Sequence, residues 1–319
     1  MSRHVAVIGA GAWGIALAIQ AARAGNDVTL WARRPVEMLP DGSLERLPGV
    51  ALPSSITRTL ILPGSADAVL LAVPMQHLRA IAGQLHVDAP LIACCKGLER
   101  NTGLLPLELL AGLHPGAPLG ILSGPNFAGE VARDYPAAAV LACSEIGLAG
   151  RLASLLATEN FRLYASDDPA GVQVGGAAKN VIAIAAGAAI GAGLGENARA
   201  ALITRGIAEL GRLIVGMGGR PMTAAGLSGL GDLVLTCTGS ASRNYSLGLA
   251  LGRGESLRSI LSARATVAEG VETAPALASR AESLGVSAPV IEAVALLLNG
   301  AIDLQQAKIR LLARPTGTE

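Results

Sequence analysis

The sequence predicts an α/β domain with a parallel-rich sheet over residues 1–174 and an all-α domain over residues 175–319. Three observations carry this. Short apolar β-type runs that end in Gly- or Pro-marked loops recur as far as Tyr164. A glycine pattern stands between the first of these runs and a helical pattern. Beyond Pro169 the β-type runs fade, and from Val174 the chain is Ala/Leu-rich with helical spacing.

In chain order, His4-Val5-Ala6-Val7-Ile8 is a compact β-run that leads into Gly9-Ala10-Gly11-Ala12-Trp13-Gly14. This is G-x-G-x-x-G, and Ile15 to Ala24 behind it has helical apolar spacing that stops at Gly25. Each glycine has a reason: a tight turn at Gly9, backbone contact with a pyrophosphate at Gly11, and close helix–strand packing at Gly14. The helix N-terminus then turns free N–H groups and a positive dipole end toward phosphate. A Rossmann-like dinucleotide site is the expectation.

The second strand, Asp27 to Trp31, should reveal which nicotinamide is used, because an NAD site carries Asp or Glu about 20 residues past the fingerprint. Here the strand ends in Ala32-Arg33-Arg34. A guanidinium pairs bidentately with a 2′-phosphate, so NADP(H) is favoured and NAD(H) remains possible. A solvated basic turn is the plainer reading of the same residues. Pro35 closes this element, and Pro40-Asp41-Gly42 marks a loop.

Further apolar strands are expected in Ala66–Pro74, Ala89–Glu99, Leu119–Leu122, Ala137–Ala142 and Phe161–Tyr164. Ligands of parallel sheets sit at the carboxyl ends of the strands, so Val73 to His77 and Lys96 should line the crevice that holds the glycine loop. Gly124 and Asn126 follow the third of these strands in Ser123-Gly124-Pro125-Asn126-Phe127-Ala128.

The composition is globular, at 51% hydrophobic and 15% charged, and 319 residues suffice for two cores. With two Trp, three Tyr and two Phe against 40 Gly, those cores must be built from Ala, Leu, Val and Ile. A net charge of +1 gives no support for a nucleic-acid partner. Cys94, Cys95, Cys143 and Cys237 lack metal-ligand spacing and the density of a disulfide scaffold. Adjacent Cys94 and Cys95 are expected inside an apolar strand, reduced in a cytosol. The chain opens Met1-Ser2-Arg3-His4 with no signal-peptide pattern. Val181 to Gly195, the longest nearly uncharged stretch, falls short of the roughly 20 apolar residues of a spanning helix. A cytoplasmic location, no membrane segment and no metal are expected, and the Ala/Gly-rich second half could bury a homodimer interface.

That second half holds polar clusters that an apolar bundle does not need. Lys179-Asn180 stands just before Val181-Ile182-Ala183-Ile184, near the expected start of the helical domain. A lysine at the mouth of an apolar run is partly desolvated, which lowers its pKa toward the range useful for proton transfer. Its plainer reading is a snorkelling side chain at a helix start. Glu196-Asn197-Ala198-Arg199 forms a second cluster. Asp232 to Thr238 with Ser242-Arg243-Asn244 forms a third, in which Asp232 and Thr236 share a helix face and Arg243-Asn244 offers a guanidinium and an amide to a phosphate oxygen.

Taken together, Gly9–Gly14, Ala72-Val73-Pro74, Lys96-Gly97-Leu98-Glu99, Ser123–Ala128, Gly176–Val181, Asn197-Ala198-Arg199, Gly229–Thr238 and Ser242-Arg243-Asn244 resemble the bacterial NAD(P)-dependent sn-glycerol-3-phosphate dehydrogenases. The motifs come in the family's order along nearly the whole chain. The resemblance implies Lys179 as proton acceptor, Lys96 as a second active-site lysine, and Asp232 beside them. It implies Gly124, Asn126, Asn180, Asp232, Thr236, Ser242, Arg243 and Asn244 as substrate-site residues. Ala12, Trp13, Arg33, Arg34, Lys96, Ala128, Arg243, Val267 and Glu269 join the three glycines on the cofactor side. Cys95 and Asn126 stand where that family usually has Ser or Thr, and the Pro35–Leu47 segment is shorter than is common. The implied substrate is a small molecule, glycerol 3-phosphate or dihydroxyacetone phosphate. A related hydroxy-acid or sugar-acid dehydrogenase, whose substrate carboxylate Arg243 could bind, and a non-catalytic NADP-binding sensor are the alternatives.

Overall fold

A computed structural model of the chain describes residues 3–263 and 268–313. Two compact units are present, one of Met1–Lys96 with Leu104–Val172, the other of Gly97–Gly103 with Gln173–Glu319. The sequence pattern suggests a break after 174 and gives no sign that residues 97–103 group with the second unit.

The first unit is one eight-stranded sheet with helices on both faces. Its strands are β1 (His4–Ile8), β2 (Asp27–Trp31), β3 (Ile56–Thr59), β4 (Ala68–Leu71), β5 (Leu91–Ala93), β6 (Leu119–Ser123), β7 (Ala137–Cys143) and β8 (Phe161–Ser166). They lie in the order β3-β2-β1-β4-β5-β6-β7-β8, and every neighbouring pair is parallel except β6 with β7. Helices α1 (Ala12–Arg23), α2 (Met75–Ala82), α3 (Pro106–Leu113), α4 (Ala128–Ala132) and α5 (Ile146–Ala153) cover it. Alternate strand residues feed two cores, one holding Val5, Val7, Leu30 and Leu70 with α1, the other Ala6, Ile8, Val69 and Leu71 with α2 and α3. That two-sided burial is why these strands read as unbroken apolar runs. Each fully buried Leu or Ile contributes about 1.5–3 kcal/mol.

The order reverses between β1 and β4, so the loop after β1 opens at the topological switch point of the sheet. Cys94 and Cys95 fall just past β5 rather than inside it, and all four cysteines are buried free thiols.

The second unit is helical: most of α6 (Pro169–Gly191), then α7 (Gly195–Gly216), α8 (Asp232–Thr238), α9 (Arg243–Gly252), α10 (Leu257–Ser262), α11 (Glu269–Ser283), α12 (Pro289–Leu298) and α13 (Leu304–Leu312). A 3-10 turn at Pro221–Ala225 and a π turn at Leu227–Gly231 lead into α8. Helix α6 begins ten residues ahead of Lys179, which therefore sits in mid-helix and not at a helix start. The glycines of α6 beyond Lys179 form a packing surface. A Cβ on Gly187 would lie 2.1 Å from the Tyr245 carbonyl oxygen, and one on Gly248 2.1 Å from that of Ile184. Glycine's intrinsic helix penalty of about 1 kcal/mol is thus offset by backbone-close packing of α6 on α9. Helix α6 is long and apolar enough to cross a membrane, and most of it is buried inside the fold.

Candidate active site

The glycine loop joins β1 to α1, and its geometry explains each glycine separately. Gly9 has φ +116°, a region L side chains rarely adopt, and a Cβ there would lie 2.7 Å from the Ala72 carbonyl oxygen just past β4. A Cβ on Gly14 would lie 1.8 Å from the Gly9 carbonyl oxygen, so the first turn of α1 rests directly on the loop. Gly11, the N-cap of α1, is exposed, and a Cβ there would meet nothing within 4 Å. Two glycines are demanded by the protein's own packing, while the third leaves open space in front of unshielded helix N–H groups. That arrangement fits a dinucleotide pyrophosphate.

Ala12 and Trp13 are half-buried on the first turn of α1, packed against the core. Arg33 and Arg34 are exposed just past the carboxyl end of β2, the same end of the sheet as the glycine loop. Ala128 opens α4, which packs against α1. Lys96 follows β5, and its Nζ donates to the Gly124 carbonyl oxygen at 3.1 Å, joining the loops after β5 and β6. A Cβ on Gly124 would meet the Ala139 backbone at 2.8 Å. In the same loop Asn126 Nδ2 donates to the Ala138 carbonyl oxygen at 3.2 Å. Its Oδ1 and the Ser123 hydroxyl are buried without partners among the described residues. Buried polar atoms of this kind suit a loop that takes up a polar ligand.

In the second unit, Lys179 is 9% exposed and its Nζ donates to Asp232 Oδ1 at 2.7 Å and to Thr236 Oγ1 at 3.0 Å. Asp232 and Thr236 share one face of α8, and the threonine hydroxyl also approaches Asp232 Oδ1 at 3.3 Å and its carbonyl oxygen at 2.6 Å. The π turn delivers Asp232. A Cβ on Gly229 would lie 2.2 Å from the Ala224 carbonyl oxygen, and one on Gly175 of α6 would lie 2.5 Å from that of Ser228. Only glycines let this turn seat against α6. Cys237 beside the cluster is pushed up to about 12 by burial and by Asp232, so it stays a thiol.

Asn180 and Asn244 are also buried. Asn244 Nδ2 donates to Asn180 Oδ1 at 2.9 Å, and Asn244 Oδ1 accepts from the Gly270 backbone N–H at 3.0 Å. Asn244, read from sequence as an amide for phosphate, thus uses both ends of its carboxamide inside the fold. Ser242 is the N-cap of α9, accepting from the Tyr245 N–H at 3.2 Å. Arg243, the first residue of α9, is exposed, and Glu269, the first residue of α11, is half-buried. Val267 lies outside the described residues. Arg199 forms an ion pair with Glu196 on α7.

Within their own units the structure therefore brings Lys96 to Gly124, Lys179 to Asp232 and Thr236, and Asn180 to Asn244. The π turn and the close backbone packing at Gly175 and Gly270 are not read from the sequence pattern. Gly270 had a faint signal, a glycine directly after an acidic residue at the start of a helical pattern.

A dinucleotide cradle on a doubly wound sheet and a buried Lys–Asp–Thr cluster in a helical unit are the parts of a nicotinamide-dependent oxidoreductase. Two family models match, NAD-dependent glycerol-3-phosphate dehydrogenase N-terminus over residues 4–149 and NAD-dependent glycerol-3-phosphate dehydrogenase C-terminus over residues 168–308. The glycerol-3-phosphate dehydrogenase [NAD(P)+] of Gluconobacter oxydans is 56% identical over 320 residues, covering 99% of this chain and 98% of its own. The one from Caulobacter vibrioides is 49% identical over 99% and 98%. Among solved structures, glycerol-3-phosphate dehydrogenase from Coxiella burnetii superimposes with a TM-score of 0.92 at 36% identity, over 98% of this chain and 99% of that one. The chain belongs to the NAD-dependent glycerol-3-phosphate dehydrogenase family.

Proposed function

We infer that this protein interconverts dihydroxyacetone phosphate and sn-glycerol 3-phosphate with NADP(H) or NAD(H), and that it supplies glycerol phosphate for phospholipid synthesis in the cytoplasm. The observation that carries this beyond family membership is the buried ammonium of Lys179, held by Asp232 and Thr236. A desolvated lysine kept in one orientation is equipped to pass a proton to and from a substrate oxygen.

The nicotinamide, when bound, gives or takes the hydride at substrate C2. In reduction, Lys179 Nζ gives a proton to the oxygen that becomes the C2 hydroxyl, and in oxidation it takes that proton back. Asp232 keeps the ammonium oriented and balances its charge within a buried site. Lys96 and the Asn180 amide are assigned to stabilise charge on the same oxygen, a contribution of about 3–4 kcal/mol per well-placed donor. Arg243 is assigned to the phosphate, and Arg33 with Arg34 to the 2′-phosphate of NADP(H).

The test is the loss of reduced-nicotinamide absorbance when protein meets dihydroxyacetone phosphate, with NADPH and NADH in parallel. Turnover is expected with both and faster with NADPH. Arg33→Ala should raise the KM for NADPH about tenfold and leave that for NADH nearly unchanged, the size of one charged hydrogen-bond pair. Cofactor binding without oxidation by this substrate overturns the reading.

A further inference from the structure

We propose that Gly270 and Asn244 are positioning residues that fix which end of the Asn180 carboxamide faces the reacting substrate. This rests on the dehydrogenase reading above. The two ends of an amide differ chemically, since the oxygen only accepts and the nitrogen only donates, so their orientation must be set by something that is not itself an amide side chain. The Gly270 backbone N–H sets it. An N–H can only donate, so the Asn244 atom 3.0 Å away must be its oxygen. The Asn244 nitrogen must then face Asn180, and the atom of Asn180 at 2.9 Å must be oxygen. By elimination the Asn180 NH2 is the end left over, the one not turned to Asn244.

The relay is built for this single polarity. Asn180 and Asn244 are buried, so water cannot readily stand in for either partner. A Cβ on Gly270 would lie 2.8 Å from both Asn244 Oδ1 and the Asn180 carbonyl oxygen, so only glycine brings its N–H this close. Asn180 also follows Lys179 directly on α6, next to the proposed proton donor. A donor NH2 there favours a bare oxygen acceptor, the carbonyl that becomes an alkoxide during reduction, and disfavours any group that presents a hydrogen.

Asn244→Asp tests the relay, because the change is nearly isosteric and reverses the polarity. One carboxylate oxygen still accepts from Gly270, while the other now requires a donor from Asn180, which turns over and presents its oxygen to the substrate. The expected result is a fall in kcat/KM on the order of 10²-fold, of similar size for dihydroxyacetone phosphate and for dihydroxyacetone, with NADPH affinity and melting temperature close to wild type. Asn180→Asp leaves the Asn244–Gly270 half untouched, also removes the outward donor and should lose activity to a similar extent. It decides the matter if Asn244→Asp does not fold. A loss confined to the phosphorylated substrate would instead make Asn244 a phosphate ligand, and near-normal activity in either Asp variant would remove the relay. If wild type binds NADPH and leaves dihydroxyacetone phosphate unreduced, the parent reading fails on its own, before any variant is compared.

Discussion

At Gly9, Gly11 and Gly14 the nucleotide cradle is made by leaving side chains out. At Lys179, Asp232, Thr236, Asn180 and Asn244 the proposed proton-transfer cluster is made by burying polar side chains against one another. The first construction uses only backbone atoms from one contiguous loop and its helix. The second draws on residues 53 positions apart for its ion pair and 64 apart for its amide pair. Backbone cradles tolerate a change of side chain wherever space is open and fail wherever backbones touch. Buried polar clusters fail by leaving one partner alone in a medium that cannot solvate it.

The largest effect should come from Lys179→Met. Turnover is expected to fall by roughly 10³-fold or more, with NADPH binding retained in a fluorescence titration. The same change strands a buried Asp232 and should cost about 3–5 kcal/mol of stability. Adding Asp232→Asn should recover much of the melting temperature and none of the turnover. Recovery of both would show that the pair is structural and break the contrast.

A smaller and sharper test lies within the cradle. Gly14→Ala must displace the Gly9 carbonyl and is expected to destabilise the first unit by about 3 kcal/mol, seen in chemical denaturation. Gly11→Ala adds a methyl to open space, so stability should change by less than about 0.5 kcal/mol while NADPH affinity falls. If both variants lose stability equally, the distinction between packing and ligand-facing glycines is wrong.

A pH-dependent effect concerns Glu209, buried on α7, whose carboxylate accepts from the Val290 and Ile291 N–H groups at the start of α12. Burial pushes its pKa from 4.5 up to about 7, against those two hydrogen bonds and Arg212, with Glu292 adding to the rise. The folded protein therefore keeps a proton that the unfolded chain has lost between those two values. Stability linked to this group is fully present below pH 4.5, declines as pH rises toward 7 and is flat beyond, a span of up to about 3 kcal/mol. Melting curves of wild type and Glu209→Gln should diverge across that window, with wild type losing ground as pH rises. Parallel curves would assign the slope to other groups.

Much of the first unit is legible because its strands are buried on both faces. Val5–Ile8, Val69–Leu71 and Leu119–Leu122 are apolar throughout, and their strand type follows. Strand β3 escapes notice since Ile-Thr-Arg-Thr lies at the sheet edge with Thr57 and Arg58 exposed, and so presents no apolar run. The true start of α6 escapes because its glycines answer to backbones far along the chain, which local propensity cannot register. In the site, the glycine loop is visible from residue type and spacing alone. The partnership of Lys179 with Asp232 is not, because no periodicity links two helices, and it enters only through family resemblance. The Asn180–Asn244–Gly270 relay is legible in neither way, since it depends on which atom of an amide faces which.

Residues 97–103 fold with the second unit although they are encoded within the first half of the chain, and Arg100 among them forms an ion pair with Glu272 of α11. The polypeptide accordingly crosses from one unit to the other three times. A gene cut near residue 172 would separate Arg100 from Glu272 and leave seven residues of the second unit attached to the first. Such a cut would leave the second fragment without a complete unit.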